Sequence, residues 1–230
     1  MVASLLVFAG CENEKDFPSG NGLFTVSKDG RQVRFAKGNL EYDSINGYRF
    51  AAHQYDYGGY FGWGTGSNPT FTSEDWHDYP SFDDWGNHIA GGWRTLTGNE
   101  WYYVTRSRAD ASAKCGVATV CGVHGMVLLP DNFSGGTFTA GFTGWRRNVY
   151  DASSWSDMEA AGAVFLPAAG VRWRTELIGA GERGHYWSST PCAEADARSK
   201  DFGAGGEDFG GDHPRNDKLS VRLVQDYQGN

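Results

Sequence analysis

The sequence is poor in aliphatic side chains and contains no long apolar stretch. Leu, Ile, Val and Phe together account for 42 of the 230 residues, a share that by itself is typical of disordered chains. The longest apolar run covers residues 2–10, and its nine residues are too few to span about 30 Å of bilayer hydrocarbon. The sequence therefore predicts no transmembrane anchor.

Basic residues are scarce relative to acidic ones. The chain has 20 Lys and Arg against 28 Asp and Glu, which gives a formal net charge of −8 and a pI near 5.2. Binding to nucleic acids or to anionic lipid surfaces needs clustered cations that displace counterions. We therefore expect no nucleic-acid partner.

The sequence also lacks the motifs that mark metal and catalytic sites. Its 6 His form no His-x-His or His-Glu-x-x-His motif, and its 4 Cys form no Cys-x-x-Cys pair. The acidic stretches at 75–78 and 83–85 are interpreted as solvated loop charges, and Ser188-Ser189 lacks a nucleophile elbow. These absences predict no metal site, no cofactor and no enzyme activity.

Aromatic residues and glycine, by contrast, are abundant. The chain contains 9 Trp, 11 Tyr, 14 Phe and 33 Gly. Each aromatic ring buries about 150–250 Å² in a core, and 230 residues are enough for one sizeable core. We therefore predict a single loop-rich domain over residues 22–230 with an aromatic core.

The N-terminal apolar run ends in Phe8-Ala-Gly-Cys11 and is followed by the polar stretch 12–16. This pattern resembles the lipobox of bacterial lipoproteins, although no Lys or Arg precedes the run. The resemblance implies that residues 1–21 are a signal and tether, that Cys11 is lipidated, and that the protein is an outer-membrane lipoprotein at the cell surface. Its contact with the membrane would then be through the lipid anchor alone. The alternative is an apolar terminus with a chance cysteine.

Local motifs predict an α+β fold with twisted antiparallel strands, two short helices and long packed loops. Asp29-Gly30 between alternating runs predicts a hairpin with a type I′ turn, which needs positive φ at both central residues. The capping-box spacing of Thr97 and Glu100 predicts a helix over 98–108. Residues 151–162 are typical of a second helix ended by Gly162. The aperiodic stretch 55–93 is predicted to be a packed loop, and the other strand candidates are 47–52, 125–130, 163–167, 185–188 and 219–224.

Two cysteines, Cys115 and Cys121, lie six positions apart. In an oxidising compartment this spacing allows a disulfide across a short hairpin. Two buried thiols are the alternative.

Residues 192–217, called the C-terminal segment below, differ in composition from the rest of the chain. They contain five Gly and five Asp, and seven acidic residues against three basic ones. The sequence predicts a long loop here, and such loops inside compact domains are usually functional or disordered. An ordinary solvated acidic loop is the alternative.

Six phrases, in order, resemble the variable proteins of diversity-generating retroelements, of the gut-bacterial surface lipoprotein type. The phrases are Trp93-Arg-Thr-Leu-Thr-Gly-Asn-Glu-Trp101, Cys115-Gly-Val-Ala-Thr-Val120, residues 122–131, residues 158–170, Gly184-His-Tyr-Trp-Ser-Ser-Thr-Pro191 and Ser220-Val-Arg-Leu-Val224. The resemblance covers about residues 22–226. It implies a C-type lectin fold, related to that of formylglycine-generating enzymes, and a hypervariable, non-enzymatic ligand-binding face in the C-terminal segment.

In that family the segment is diversified by mutation at adenines. Such changes in an AAC codon for Asn yield residues such as Asp, Gly, Ser, His and Cys but never Lys or Glu. The resemblance thus implies fixed positions at Glu194, Lys200, Glu207 and Lys218, with Phe202 in the core. The implied variable, solvent-facing positions are Cys192, Ala195, Asp196, Arg198, Asp201, Gly203, Gly205, Asp208, Gly210, Gly211, Asp212, His213, Asn216 and Asp217.

The expected ligand is a protein or a glycan at a surface, basic or neutral because the segment is acidic. Its strongest contacts are expected at Arg198 and His213 or at the flanking aromatics Tyr186 and Trp187.

Three other functions are alternatives. A calcium-dependent glycan-binding lectin would use carboxylates such as Asp131 in Leu129-Pro-Asp-Asn132, although the sugar-binding motif is incomplete. An oxidase like the formylglycine-generating enzymes would need a C-terminal cysteine pair, and only Cys192 is present there. A structural surface or pilus-like protein would reveal itself through polymer contacts or a donor strand.

Overall fold

The computed structural model describes residues 19–208 and 211–229, and no side-chain placement is given for Glu207 and Asp208. The predictions for Cys11, for the N-terminal signal and tether, and for Gly210 lie outside the described residues. Among the described residues, no helix is both long and apolar enough to cross a membrane.

The described residues form a mixed α+β fold in which strands predominate. The strands are β1 Phe24–Thr25, β2 Gln32–Phe35, β3 Leu40–Asp43, β4 Gly47–Phe50, β5 Trp93–Arg94, β6 Cys115–Val120, β7 Val123–Leu128, β8 Val149–Tyr150, β9 Val164–Pro167, β10 Val171–Trp173, β11 Glu176–Ile178, β12 Arg183–Pro191, β13 Asp196–Gly203, β14 Gly206–Asp208, β15 Asp212–Pro214 and β16 Val224–Asp226. The α-helices are α1 Gly98–Tyr102 and α2 Ala152–Ala160. Short 3₁₀ turns occur at Trp76–Asp78, Trp85–His88, Ala111–Ala113 and Trp145–Arg147.

Both predicted helices are confirmed. Thr97 accepts a hydrogen bond from the Glu100 backbone N–H, and the Glu100 side chain accepts one from the Thr97 N–H, so the capping box is complete. A π-helical turn over Tyr103–Ser107 continues α1. Gly162 follows α2 with φ of 91°, the left-handed conformation that ends many helices.

The strands form small, mostly antiparallel sheets. One sheet has the order β1-β2-β16-β5, and a second has the order β8-β6-β7-β9, in which the β6–β8 pair is parallel. In a third, β13 pairs with β12 on one side and with β14 and β15 on the other. The β3–β4 and β10–β11 pairs complete the set of sheets among the described residues.

The first hairpin forms where predicted, but its turn is not of type I′. Strands β1 and β2 pair with Phe24 opposite Val33. Gly30 has φ of 84°, whereas Asp29 is not among the residues with positive φ. The Gly30 N–H bonds to the Ser27 carbonyl and the Val26 N–H to the Arg31 carbonyl, so the turn takes four residues and needs one glycine.

A type I′ turn occurs instead between β6 and β7, at Cys121 and Gly122. Their φ values are 49° and 83°, and the flanking pair is Val120 opposite Val123. Cys115 is buried at the other end of β6 while Cys121 is exposed. A disulfide between them would have to span the whole of β6, about 20 Å, so the bridge is excluded, and only one of the two thiols is buried.

The core is aromatic, as predicted, and lies in three clusters. One packs Phe24, Phe35 and Trp101 with the aliphatic residues of β7 and β9. A second contains Trp63, Trp85, Trp93 and Trp187, and a third surrounds Trp155 and Phe165. The loop at 55–93 supplies several of these rings, which explains how an aperiodic stretch remains ordered.

The last predicted strand, 219–224, is only partly regular. Regular pairing begins at Val224, where β16 joins β2 and β5. Leu219 exchanges backbone hydrogen bonds with Phe61, and Ser220 bonds to His185 and Trp187. Residues 219–224 run from one sheet to another, so they do not all pair with the same neighbouring strand.

The prediction of a long loop over the C-terminal segment is wrong. Strands β13, β14 and β15 lie within it. Backbone N–H and C=O groups form sheet ladders whatever side chains they carry, so a Gly- and Asp-rich composition does not prevent pairing along β12.

Candidate functional site

The C-terminal segment is attached to the core through β12. Strand β13 runs antiparallel to β12, with His185 opposite Asp201, Tyr186 opposite Lys200, and Trp187 opposite Ser199. Residues before and after the segment thus form a buried support under it.

The flanking aromatics belong to that support and do not reach solvent. Tyr186 and Trp187 are 0% exposed. The Tyr186 hydroxyl donates to the Pro167 carbonyl and accepts from the Asn39 amide, and the Trp187 indole N–H donates to the Phe61 carbonyl at 2.7 Å. The expectation that these rings contact a ligand is therefore wrong. Truncating such a ring to Ala typically costs about 3–5 kcal/mol of stability, so their role is structural.

The implied variable positions differ in exposure. Arg198, Gly205 and Asp212 are exposed, and the half-buried positions are Cys192, Ala195, Asp196, Asp201, Gly203, His213 and Asn216. Phe202, implied as a core residue, is buried, and so are Ala197 and Lys200.

Two of the implied solvent-facing positions, Gly211 and Asp217, are buried. A Cβ added at Gly211 would lie 2.7 Å from Cγ of Asp201 and 2.9 Å from Oγ of Ser199. The Asp217 carboxylate is bonded to Nδ1 of His213 at 3.2 Å. Neither position can therefore present a side chain to a ligand.

A groove of about 230 Å³ lies between α1 and β13. Asn99 and Tyr102 line it from the helix, and Thr190 and Arg198 line it from the sheet. Tyr102 is 49% exposed, so the groove combines an accessible aromatic ring with a guanidinium group. Tyr102 is not among the site residues predicted from the sequence, although its place next to the buried Trp101 in a capped helix puts it on the outer face.

His185 of β12, Asp201 of β13 and His213 of β15 form a compact cluster. Nδ1 of His185 lies 3.1 Å from Oδ1 of Asp201, and Nε2 of His213 lies 3.2 Å from Oδ2 of the same carboxylate. The two ring nitrogens are 3.1 Å apart. All three residues offer a metal-ligating atom, and these atoms lie within 4.8 Å of one another.

Neighbouring groups hold the cluster and shift its pKa values. Ser199 donates its hydroxyl to Oδ1 of Asp201. Burial raises the pKa of the Asp201 carboxyl, but hydrogen bonds from His185 and His213 outweigh burial and hold the pKa well below its usual range. Burial lowers the pKa of His213, but its hydrogen bonds to Asp201 and Asp217 outweigh burial and raise the pKa to about 9.

The cluster is not predicted from the sequence, because its members come from three strands. His185, Asp201 and His213 are separated by 16 and 12 positions, and no ligand motif has that spacing. The hairpin register was the available signal, since pairing β12 with β13 places His185 opposite Asp201.

Other acidic groups considered from the sequence have structural roles. Asp75 and Asp84 accept backbone hydrogen bonds at the starts of 3₁₀ turns. The Asp131 carboxylate accepts hydrogen bonds from Thr25, Gln32 and Arg108. Because these donors occupy both of its oxygens, Asp131 is not available to a calcium ion.

Cys192 lies at the rim of the segment, with Sγ 3.7 Å from Oδ2 of Asp212. Burial, together with the Asp212 carboxylate, raises the pKa of the Cys192 thiol. A raised pKa keeps the thiol protonated at neutral pH and makes it a poor nucleophile or copper ligand.

Comparison of the sequence with protein-family models, with curated proteins and with solved structures finds no match.

Proposed function

We propose that this chain is a non-enzymatic, surface-displayed ligand-binding protein with a C-type lectin-like fold, and that the C-terminal segment is its hypervariable binding face. The phrases along residues 93–224 that resemble the variable proteins of diversity-generating retroelements support the fold and the diversification. The lipobox-like sequence at Cys11 supports display at the outer membrane.

The observation that carries the proposal is the division of roles within β13. Ala197 and Phe202 are buried in two different core clusters, whereas Arg198, which lies between them in the sequence, is exposed. The segment is also held by main-chain hydrogen bonds, such as those from Ser199 to Gly211 and from Arg215 to Ala195. Outward side chains can change without removing these bonds, which is what a face of variable sequence requires.

The groove between α1 and β13 provides the recognition chemistry. Tyr102 and Arg198 are the residue types that dominate the energetics of protein interfaces. Over the whole segment, seven acidic residues stand against three basic ones, so the face as a whole favours neutral or basic ligands, and association should weaken as salt rises. A surface protein or a glycan fits this description.

A charge-matched pair of double variants tests the proposal. In the face variant, Arg198→Ser and Asp212→Ser are combined; in the control, Lys28→Ser and Asp157→Ser are combined at exposed positions outside the segment. Both variants keep the net charge. Wild type and variants are applied to glycan and surface-protein arrays, and the best-bound array member is then measured by surface plasmon resonance.

The face variant should weaken that binding by at least about tenfold, since truncating a central Arg contact costs about 1–4 kcal/mol, while the control binds like the wild type. If the face variant binds as tightly as the wild type, or if both variants lose the same affinity, the proposed binding face is wrong. A near-copy of the segment's coding sequence in the adjacent DNA, differing only at adenines, is the expected companion observation for diversification.

A further inference from the structure

The cluster beside β13 has the arrangement of a metal centre. Nδ1 of His185 and Nε2 of His213 are 3.1 Å apart, and each lies 3.1 or 3.2 Å from a different carboxylate oxygen of Asp201, Oδ1 for His185 and Oδ2 for His213. We propose that these three residues bind one divalent transition-metal ion of the zinc class.

The donor spacing fits the bond lengths of such an ion. Metal bonds of about 2.0–2.1 Å place neighbouring ligands about 3.3–3.4 Å apart in a tetrahedron and about 2.9 Å apart in an octahedron. The separation of the two nitrogens, and the distance from each nitrogen to its nearest Asp201 oxygen, fall between these values, so the two imidazoles and the carboxylate have the spacing that such an ion needs.

Hydrogen bonds alone do not satisfy the cluster. If His185 and His213 both donate to Asp201, two protonated ring nitrogens face each other at 3.1 Å with no lone pair between them. An ion in the centre would satisfy both nitrogens and the carboxylate at once. Binding would replace the protons on the two nitrogens, because a ligating imidazole is neutral.

Outer groups already orient the ligands in the required way. Nδ1 of His213 lies 3.2 Å from Oδ2 of Asp217, so in the neutral form that a metal ligand takes, Nδ1–H can donate to Asp217 while the Nε2 lone pair faces the cluster. This carboxylate–histidine–metal relay is a common feature of metal sites. Ser199 donates to Asp201, which fixes the carboxylate.

The ligand set selects the class of ion. Two imidazoles and one carboxylate suit Zn²⁺, Co²⁺, Ni²⁺ or Fe²⁺, whereas Ca²⁺ and Mg²⁺ prefer six or more oxygen ligands. His185 and Asp201 also line a groove of about 600 Å³ with Trp145 and Arg183. Three protein ligands beside an open groove leave a coordination position for water or for a donor atom of a bound molecule.

This inference does not depend on the proposed function, and it adds one consequence to it. His185 lies outside the C-terminal segment, whereas Asp201 and His213 are two of the implied variable positions. If these positions are diversified, the metal site belongs to this particular sequence, and versions with other residues there lose it.

Titration of the whole chain with the metal alone tests the inference. The purification tag is removed, the protein is stripped with EDTA, and Zn²⁺ is added in competition with a chromophoric chelator. We expect one Zn²⁺ per chain, and Co²⁺ should give visible d–d absorption that Zn²⁺ abolishes. His213→Gln and Asp201→Asn should each weaken Zn²⁺ binding at least about a hundredfold, and Asp217→Asn about 10–100-fold.

His77→Gln is the matched control, because His77 also contacts an aspartate, Asp75, but is exposed and belongs to no group of three metal-ligating side chains among the described residues. It should bind Zn²⁺ like the wild type. Near-UV circular dichroism of each metal-free variant shows whether the variant is still folded, so that loss of a metal ligand can be distinguished from unfolding. The Co²⁺ spectrum of the wild type tests the site even if a variant does not fold. Absence of stoichiometric binding, undiminished binding by folded His213→Gln, or binding of Ca²⁺ as tight as Zn²⁺ would overturn the proposal. The metal titration uses no organic ligand, so its outcome does not bear on the proposed binding face. Failure of the metal site can therefore be distinguished from failure of the binding face.

Discussion

At the scale of single residues, two glycines of the C-terminal segment have opposite surroundings. A Cβ at Gly205 would meet no heavy atom within 4 Å, whereas a Cβ at Gly211 would lie under 3.0 Å from Asp201 and Ser199. The first position is open to substitution, and the second is fixed by packing. Composition alone could not separate them, because both are glycines in the same acidic stretch.

We therefore predict that Gly211→Ala destabilises the protein while Gly205→Ala does not. Overpacking at Gly211 should lower the free energy of unfolding by about 1–3 kcal/mol, and the change at Gly205 should stay within about 0.5 kcal/mol. Urea denaturation followed by Trp fluorescence measures both values. Similar losses for the two variants would show that the packing around Gly211 has been misread.

At the scale of secondary-structure elements, the hairpin of β6 and β7 depends on its two-residue turn. Cys121 has φ of 49° and Gly122 has φ of 83°, and type I′ turns favour Asn-Gly in these two places. The turn therefore does not require cysteine at position 121, and Cys121 forms no disulfide with Cys115.

Cys121→Asn should leave stability unchanged or raise it, by up to about 1 kcal/mol, because Asn adopts the left-handed conformation readily. Cys121→Val should lower stability by about 1–2 kcal/mol, since a β-branched side chain is strained there. Thermal unfolding of the two variants provides the comparison. A Val variant as stable as the Asn variant would contradict the assigned turn.

The elements that the sequence predicted best are those determined by interactions between residues close together in the chain. The Thr97–Glu100 capping box and the end of α2 at Gly162 are set by residues a few positions apart, and both are confirmed. The turn at Asp29-Gly30 was assigned to the wrong type, because dipeptide preference does not fix how many residues a turn contains. The cluster of His185, Asp201 and His213 was missed, because it depends on strand register over long separations.

At the scale of the whole molecule, support and surface are separate. Trp187, Tyr186 and Phe202 pack in the interior, and the strands above them are joined through backbone hydrogen bonds. The polar cluster at Asp201 lies next to this interior, since the His213 ring centroid is 6.2 Å from that of Trp187. The abundance of aromatic residues in the sequence predicted an aromatic core. The solvent exposure of each position in the C-terminal segment could be determined only from the structure.

The most direct measurement compares two displayed libraries of the chain. One randomises Arg198, Gly205 and Asp212, which face solvent; the other randomises Ala197, Ser199 and Phe202, which are buried in the same segment. Protease resistance counts the folded members of each library. The account predicts that most members of the first library are folded and few of the second are. Equal fractions of folded members in the two libraries would contradict it.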